Sequence, residues 1–131
     1  ETVRNMTRLL LERHGYRVLT ACNGQEALEL FRQNLGSVQL MLSDVVMPRM
    51  NGRELCERVR QLAPTLPLLI PGVGAQGGDA AATVQAGWRP DGPIVVNSSR
   101  AILYASAGAD FAAAATREAG RTREALEAAR G

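Results

Sequence analysis

The run Val38-Gln-Leu-Met-Leu-Ser43 constrains the fold of this chain more than any other feature. It is short, mostly apolar and bounded by turn residues, the pattern of a central parallel strand buried on both faces. Leu68-Leu-Ile70 and Ile94-Val-Val-Asn97 repeat the pattern, and Tyr16-Arg-Val-Leu-Thr-Ala21 alternates as a further short strand. Helical periodicity fills the intervals. Thr2 to His14 places Val3, Met6, Leu10 and Leu11 on one face, and Gly15 ends that helix. Asn23, with Glu26 three residues on, heads a helix whose buried stripe is Ala27, Leu28 and Phe31. Asn51 caps a helix from Arg53 to about Leu62, with Leu55 and Val59 inward. Asp79 caps an alanine-rich helix to about Ala86. Asp110 caps a closing helix from Phe111 to about Ala129, interrupted by Gly120. Strands alternating with helices predict an α/β fold: a four-stranded parallel sheet flanked by five helices.

The 131 residues suffice for one core, so a single domain over 1–131 is expected. A net charge of +2 gives no argument for a nucleic-acid partner. No apolar run approaches the roughly 18 residues of a membrane span, and no signal peptide is visible, so a cytoplasmic protein without a membrane partner is expected. Cys22 and Cys56 read as two isolated buried thiols, not as a disulfide or a metal site. His14 reads as structural, and Trp88 and Tyr104 as packing residues. Every basic residue is arginine; the sequence contains no lysine.

In parallel sheets, ligands gather beyond the carboxyl ends of the strands. Asp44 directly follows the Val38–Ser43 run, and Met47-Pro48 and Asn51-Gly52 mark the loop after it. Alone, such an aspartate would merely face solvent. The longer run Leu-Ser-Asp44-Val-Val-Met-Pro-Arg-Met-Asn-Gly52, however, resembles the phosphorylation strand and loop of response-regulator receiver domains. Gly15-Tyr-Arg-Val-Leu-Thr-Ala21 and Asn23-Gly-Gln-Glu-Ala-Leu28 are similar to the same family, especially to receivers attached to hybrid histidine kinases.

The receiver resemblance covers residue 1 to about 70 and implies a flavodoxin-like fold with Asp44 as phosphoacceptor. It also implies Mg²⁺ near Asp44, held by an acidic pair at the end of a first strand that would lie just upstream of Glu1. Pro71-Gly-Val-Gly74 replaces the family's Ser/Thr, and its lysine has no counterpart, although Arg100 stands nearby. Phosphotransfer needs charge neutralised on the moving oxygens. The expectation is therefore inefficient phosphotransfer, no cofactor, and at most weakened Mg²⁺ binding.

Pro71-Gly-Val-Gly-Ala-Gln-Gly-Gly-Asp79 is a second candidate site. Glycines let backbone amides close on an anion, and a following helix N-terminus adds positive charge. As a bare glycine loop it could equally be a connector. Together with Asp91-Gly-Pro-Ile-Val-Val-Asn-Ser-Ser-Arg-Ala-Ile-Leu-Tyr-Ala105 it resembles the C-terminal quarter of orotidine 5′-phosphate decarboxylases, from about residue 68 onward. That resemblance implies a phosphate site between the last two strands of a (β/α)₈ barrel. Gln76 and Arg100 would contact the 5′-phosphate, with backbone near Gly77 and Ser99 assisting, so the candidates are Gly72, Gly74, Gln76, Gly77, Gly78, Ser99 and Arg100. The family's catalytic lysine and aspartates lie on earlier strands, and without lysine the chain is expected not to be an enzyme.

The two resemblances meet near Leu68–Pro71, which suggests a recombined or designed chimera of flavodoxin-like and half-barrel parts. The division expected is 1–70 receiver-like, lacking its first strand, and 71–131 decarboxylase-like. In the receiver order 2-1-3-4-5 the missing strand is central. Either residues outside the chain supply it, or Tyr16–Ala21 pairs directly with Val38–Ser43. The expected partners are phosphate, sulfate or a nucleotide monophosphate, and a second copy joined through sheet edges. Phosphorelay through Asp44 is the alternative function, and nucleotide lyase activity a weaker one.

Overall fold

The computed structural model describes residues 2–71 and 80–131. Within them the order is α1 (Thr2–Arg13), α2 (Gly24–Gln33), β1 (Met41–Leu42), α3 (Gly52–Leu62), β2 (Leu68–Pro71), α4 (Ala80–Gly87), β3 (Ile94–Asn97), α5 (Arg100–Leu103) and α6 (Phe111–Ala129). The strands form one parallel sheet in sequential order β1-β2-β3.

The described sheet has three strands, not four. Tyr16–Ala21 is irregular, since no described strand lies beside it to complete a ladder. Its pairing with Val38–Ser43 does not occur. β1 is confined to Met41–Leu42, extended on either side by Met41 N–H to the Pro67 carbonyl (3.1 Å) and Ser43 N–H to the Leu69 carbonyl (3.1 Å).

Strand parity explains why β1 is not buried on both faces. Met41, Leu68 and Ile94 are in register on one side, and Leu42, Leu69 and Val95 on the other. The first side meets a core of Leu28 and Phe31 from α2, Leu55, Cys56 and Val59 from α3, and Ala86 from α4. The second side is open: Leu42 is 46% exposed and Val95 61%.

Capping by side chains follows the sequence at two of the expected sites. Asn23 Oδ1 accepts from Glu26 N–H (3.0 Å), and the Glu26 carboxylate accepts in return from Cys22 N–H (2.7 Å). Asn51 Oδ1 accepts from Glu54 N–H (2.9 Å). Asp79 lies outside the described residues. Asp110 precedes α6 without a side-chain cap, because its carboxylate is taken by the Ser106 hydroxyl (2.6 Å) and Arg117 (3.3 Å). The Ser106 bond and then Arg117 hold that carboxyl below its usual range. α6 runs through Gly120 unbroken, and the short α5 brings the described helices to six rather than five.

Other expectations need correction. Cys22 is exposed, and only Cys56 is buried. Burial pushes the Cys56 thiol up to about 11, against the pull of Arg60 and with a smaller push from Glu57. Tyr104 does not pack; it is exposed. Trp88 does, with the Arg130 guanidinium 4.9 Å from its ring centroid, joining the end of α6 to the turn after α4. The apolar stripe of α1 is not covered, and no α1 residue is buried. His14 Nδ1 lies 2.8 Å from the Leu10 carbonyl, a helix-end bond that fits a structural role.

Candidate functional site

Because β1, β2 and β3 are parallel, their carboxyl ends form one rim. Register pairs Leu42 with Leu69 and Pro71 with Asn97. Asp44 therefore follows the end of β1 on the same rim from which Asn97-Ser98-Ser99-Arg100 leaves β3. The two anion-handling candidates face the same way, with β2 between their strands.

Asp44 is exposed, and its Oδ1 accepts from the Val45 N–H at 2.9 Å. The loop behind it is fixed by two close approaches. Gly52 N–H donates to the Val45 carbonyl (2.9 Å), and a Cβ on Gly52 would collide with the Asp44 carbonyl and lie 2.9 Å from Val45 Cα. A Cβ on Gly24 would meet the Met50 carbonyl and lie 2.8 Å from Met50 Cβ. Only glycine admits such backbone contact. Arg49 takes a left-handed φ of 68°, a conformation rare outside glycine, which turns the loop back toward α3. Ser43 is buried beneath, its hydroxyl donating to the Asp44 carbonyl at 3.1 Å. Neither the Met50 seat of Gly24 nor the Ser43 support was recognised from sequence, although a glycine directly after the Asn23 cap was visible.

On the β3 side, the Ser99 hydroxyl donates to Asn97 Oδ1 (2.9 Å), and exposed Arg100 opens α5. The Ser98 hydroxyl oxygen is buried without a hydrogen-bond partner. The candidates Gly72, Gly74, Gln76, Gly77 and Gly78 lie outside the described residues. Among the described residues no three acidic, histidine or cysteine side chains converge. Mg²⁺ takes near-octahedral oxygen ligands. Asp44 is the residue that the receiver resemblance would place at such an ion.

One residue that sequence reading missed organises the opposite end of the sheet. Arg60, in α3, is 4% exposed, and its hydrogen bonds among the described residues go to main chain. Its guanidinium donates to five main-chain carbonyls: Gly87 (2.5 Å), Pro64 (2.8 Å), Leu66 (2.5 Å), Gly92 (2.8 Å) and Pro93 (3.3 Å). Burial, and then the nearby Arg89, lower its pKa below the ordinary arginine range, against smaller opposing pulls from Cys56 and Asp91.

Comparison with known proteins resolves the family. The response regulator receiver domain model matches residues 1–90. The chain belongs to that family. The receiver fold is shared with a response regulator receiver domain protein from Clostridium thermocellum (TM-score 0.62, 21% identity, 93% of this chain and 89% of that one). A putative response regulator from Chloroflexus aurantiacus also aligns (TM-score 0.58, 28% identity, 96% and 89%).

This receiver is also similar to an enzyme family. Over 74 residues it is 80% identical to orotidine 5′-phosphate decarboxylase of Polaromonas naphthalenivorans, covering 56% of the chain and 26% of the relative. Over 75 residues it is 81% identical to that of Paracidovorax citrulli, covering 57% and 27%. The chain thus spans about a quarter of the length of these relatives. The decarboxylase-like stretch is C-terminal, and it overlaps the receiver match across β2 and α4. The chain thus joins a receiver domain to a decarboxylase-like C-terminal stretch, the pattern of a chimera, on a flavodoxin-like parallel sheet. No helix among the described residues is long and apolar enough to cross a membrane.

Proposed function

We propose that the chain is a non-catalytic α/β scaffold, recombined or designed, that binds a phosphate-type anion at the carboxyl rim of its sheet. The observation that carries this reading is the buried hydroxyl of Ser98, without a partner among the described residues, two positions before exposed Arg100 at the carboxyl end of β3. A guanidinium can grip two phosphate oxygens at once, and a hydroxyl can donate to a third. The glycine segment with Gln76 would complete the site, as the similarity to the decarboxylases suggests. Phosphate, sulfate or a nucleotide monophosphate would be the ligand. Lysine is absent from the sequence, which argues against proton delivery to a carbanion and so against lyase activity.

The division into a receiver-like part at 1–70 and a decarboxylase-like part at 71–131 remains our reading. A cytoplasmic protein without a resident cofactor is the setting that fits. Titration of the chain with phosphate by calorimetry should give saturable heat, and Arg100→Ala should weaken affinity at least tenfold. Equal, negligible heats from both proteins would end this reading.

Family membership supports a second function, acceptance of a phosphoryl group by Asp44. Asp44 is exposed at a strand end in a loop held by Gly24 and Gly52. The described residues supply neither a magnesium site nor a lysine, so we expect slow, low-yield modification. Incubation with acetyl phosphate and Mg²⁺ should add the mass of one phosphoryl group to a small fraction of the chains and to none of Asp44→Asn. Rapid, stoichiometric labelling would promote this function over the first.

A further inference from the structure

Strand register fixes how far the acidic candidate of the rim lies from the basic one. Leu42 stands level with Leu69, and Leu69 with Val95, so two residues on Asp44 comes level with Pro71 and Asn97. The Ser43 N–H on the Leu69 carbonyl (3.1 Å) carries the ladder to the residue before Asp44. One strand lies between them, and two spacings of about 4.8 Å put the Asp44 and Asn97 backbones about 10 Å apart. Parity gives these positions the open side of the sheet, where Leu42 and Val95 are exposed. The Ser99 hydroxyl donates to Asn97 Oδ1 (2.9 Å), which fastens the exit from β3 to that level, and Arg100 follows. Asp44 Oδ1 accepts from the Val45 N–H, and no arginine pairs with this carboxylate among the described residues. Arg100 likewise has no carboxylate partner among them. The rim therefore carries one uncompensated charge of each sign, with β2 between.

We infer that Asp44 sets the charge selectivity of the anion site at Arg100, a role that rests on the phosphate-type site proposed above. Its carboxylate acts through space across β2 and disfavours doubly charged anions relative to singly charged ones. Coulomb's law gives the size. Two unit charges about 10 Å apart, at an effective dielectric of about 40–80 for a wet surface, change an affinity about 1.7- to 2.8-fold at low salt. The logarithm doubles for an anion of two charges, to about three- to eightfold. Phosphate monoesters are doubly charged above about pH 6, so the carboxylate holds them more weakly than Arg100 alone would. A side chain that acted by shaping the pocket would treat both anions alike, and its effect would not fade with salt.

Asp44→Asn removes the charge and keeps the oxygen that accepts from Val45 N–H. Calorimetric titrations with sulfate and with its singly charged ester methyl sulfate, at an ionic strength of about 0.01 M, separate the two effects. Sulfate should bind Asp44→Asn about three- to eightfold more tightly than it binds the native chain, and methyl sulfate about 1.7- to 2.8-fold. Both gains should vanish in about 1 M sodium chloride. Asp91→Asn removes the same charge from the turn before β3, at the far end of the sheet, and should leave sulfate affinity unchanged. Equal sulfate affinities in the native chain and Asp44→Asn, or equal gains for the two anions, would overturn the inference and leave the anion site standing. No binding heat from the native chain or from either variant would defeat the site itself, and the selectivity with it.

Discussion

Replacing Arg60 by alanine is expected to destabilise the protein by about 4 kcal/mol, lowering the melting temperature by about 10–20 °C. The size follows from what the side chain leaves behind. Gly87, Leu66 and Gly92 present buried acceptors to one guanidinium, and Pro64 and Pro93 add two more. Alanine offers no donor, and Gly92 packs within 2.9 Å of Arg60 Cζ where a Cβ would sit, so the neighbourhood is shaped around the missing group. Each carbonyl left unpaired away from water costs about 1–3 kcal/mol, part of which local relaxation recovers. Arg60→Lys should recover less than half, since an ammonium cannot span the flat fork of acceptors. Arg58→Ala is the control: its bridge to Glu54 (3.8 Å) lies on the exposed side of the same helix, and its loss should cost at most about 0.5 kcal/mol. Thermal melts of the three variants decide the matter, and an Arg60→Ala melt indistinguishable from that of Arg58→Ala would refute the latch.

Gly52→Ala should be the next most damaging change, at about 2–3 kcal/mol, and it should act on Asp44 directly. The added methyl would overlap the Asp44 carbonyl and press on Val45 Cα, both rigid backbone. Overpacking against backbone has no rotamer to release it, so the loop must move. Urea unfolding gives the stability loss. The chemical shift of the Asp44 carboxyl carbon, followed by NMR, should change in Gly52→Ala and stay put in Gly36→Ala, whose site is open space but carries a positive φ of 85°. A native carboxyl shift in Gly52→Ala would show that the loop is not clamped there.

Much of this architecture is legible in the sequence because local signals and tertiary needs coincide. Asn23 and Asn51 cap as their spacing demands, and Leu28, Phe31, Leu55 and Val59 point inward as periodicity requires. The strand at Ile94–Asn97 falls where its apolar run places it. Tyr16–Ala21 failed because alternation describes what a strand could bury, not whether a neighbour exists to pair with it. Val38–Ser43 shrank for a related reason: an apolar run predicts two covered faces, yet coverage of the second belongs to elements elsewhere. For the rim, Asp44 and Arg100 could be placed by motif. The Ser98 hydroxyl could not, since its burial is a property of packing. Arg60 was invisible because its five partners are carbonyls, which every residue carries and no sequence pattern marks.

That same choice of partners has a consequence for how such a segment can change and travel. A clamp that reads only main-chain oxygens is indifferent to the side chains at 64, 66, 87, 92 and 93 so long as the backbone path is kept and nothing intrudes. Those positions can drift without loosening it, and the whole βα unit can be cut out and grafted onto a foreign neighbour with its fastening intact. It sits at the end of the sheet away from the anion rim, so selection can remodel the rim while the anchorage stays put.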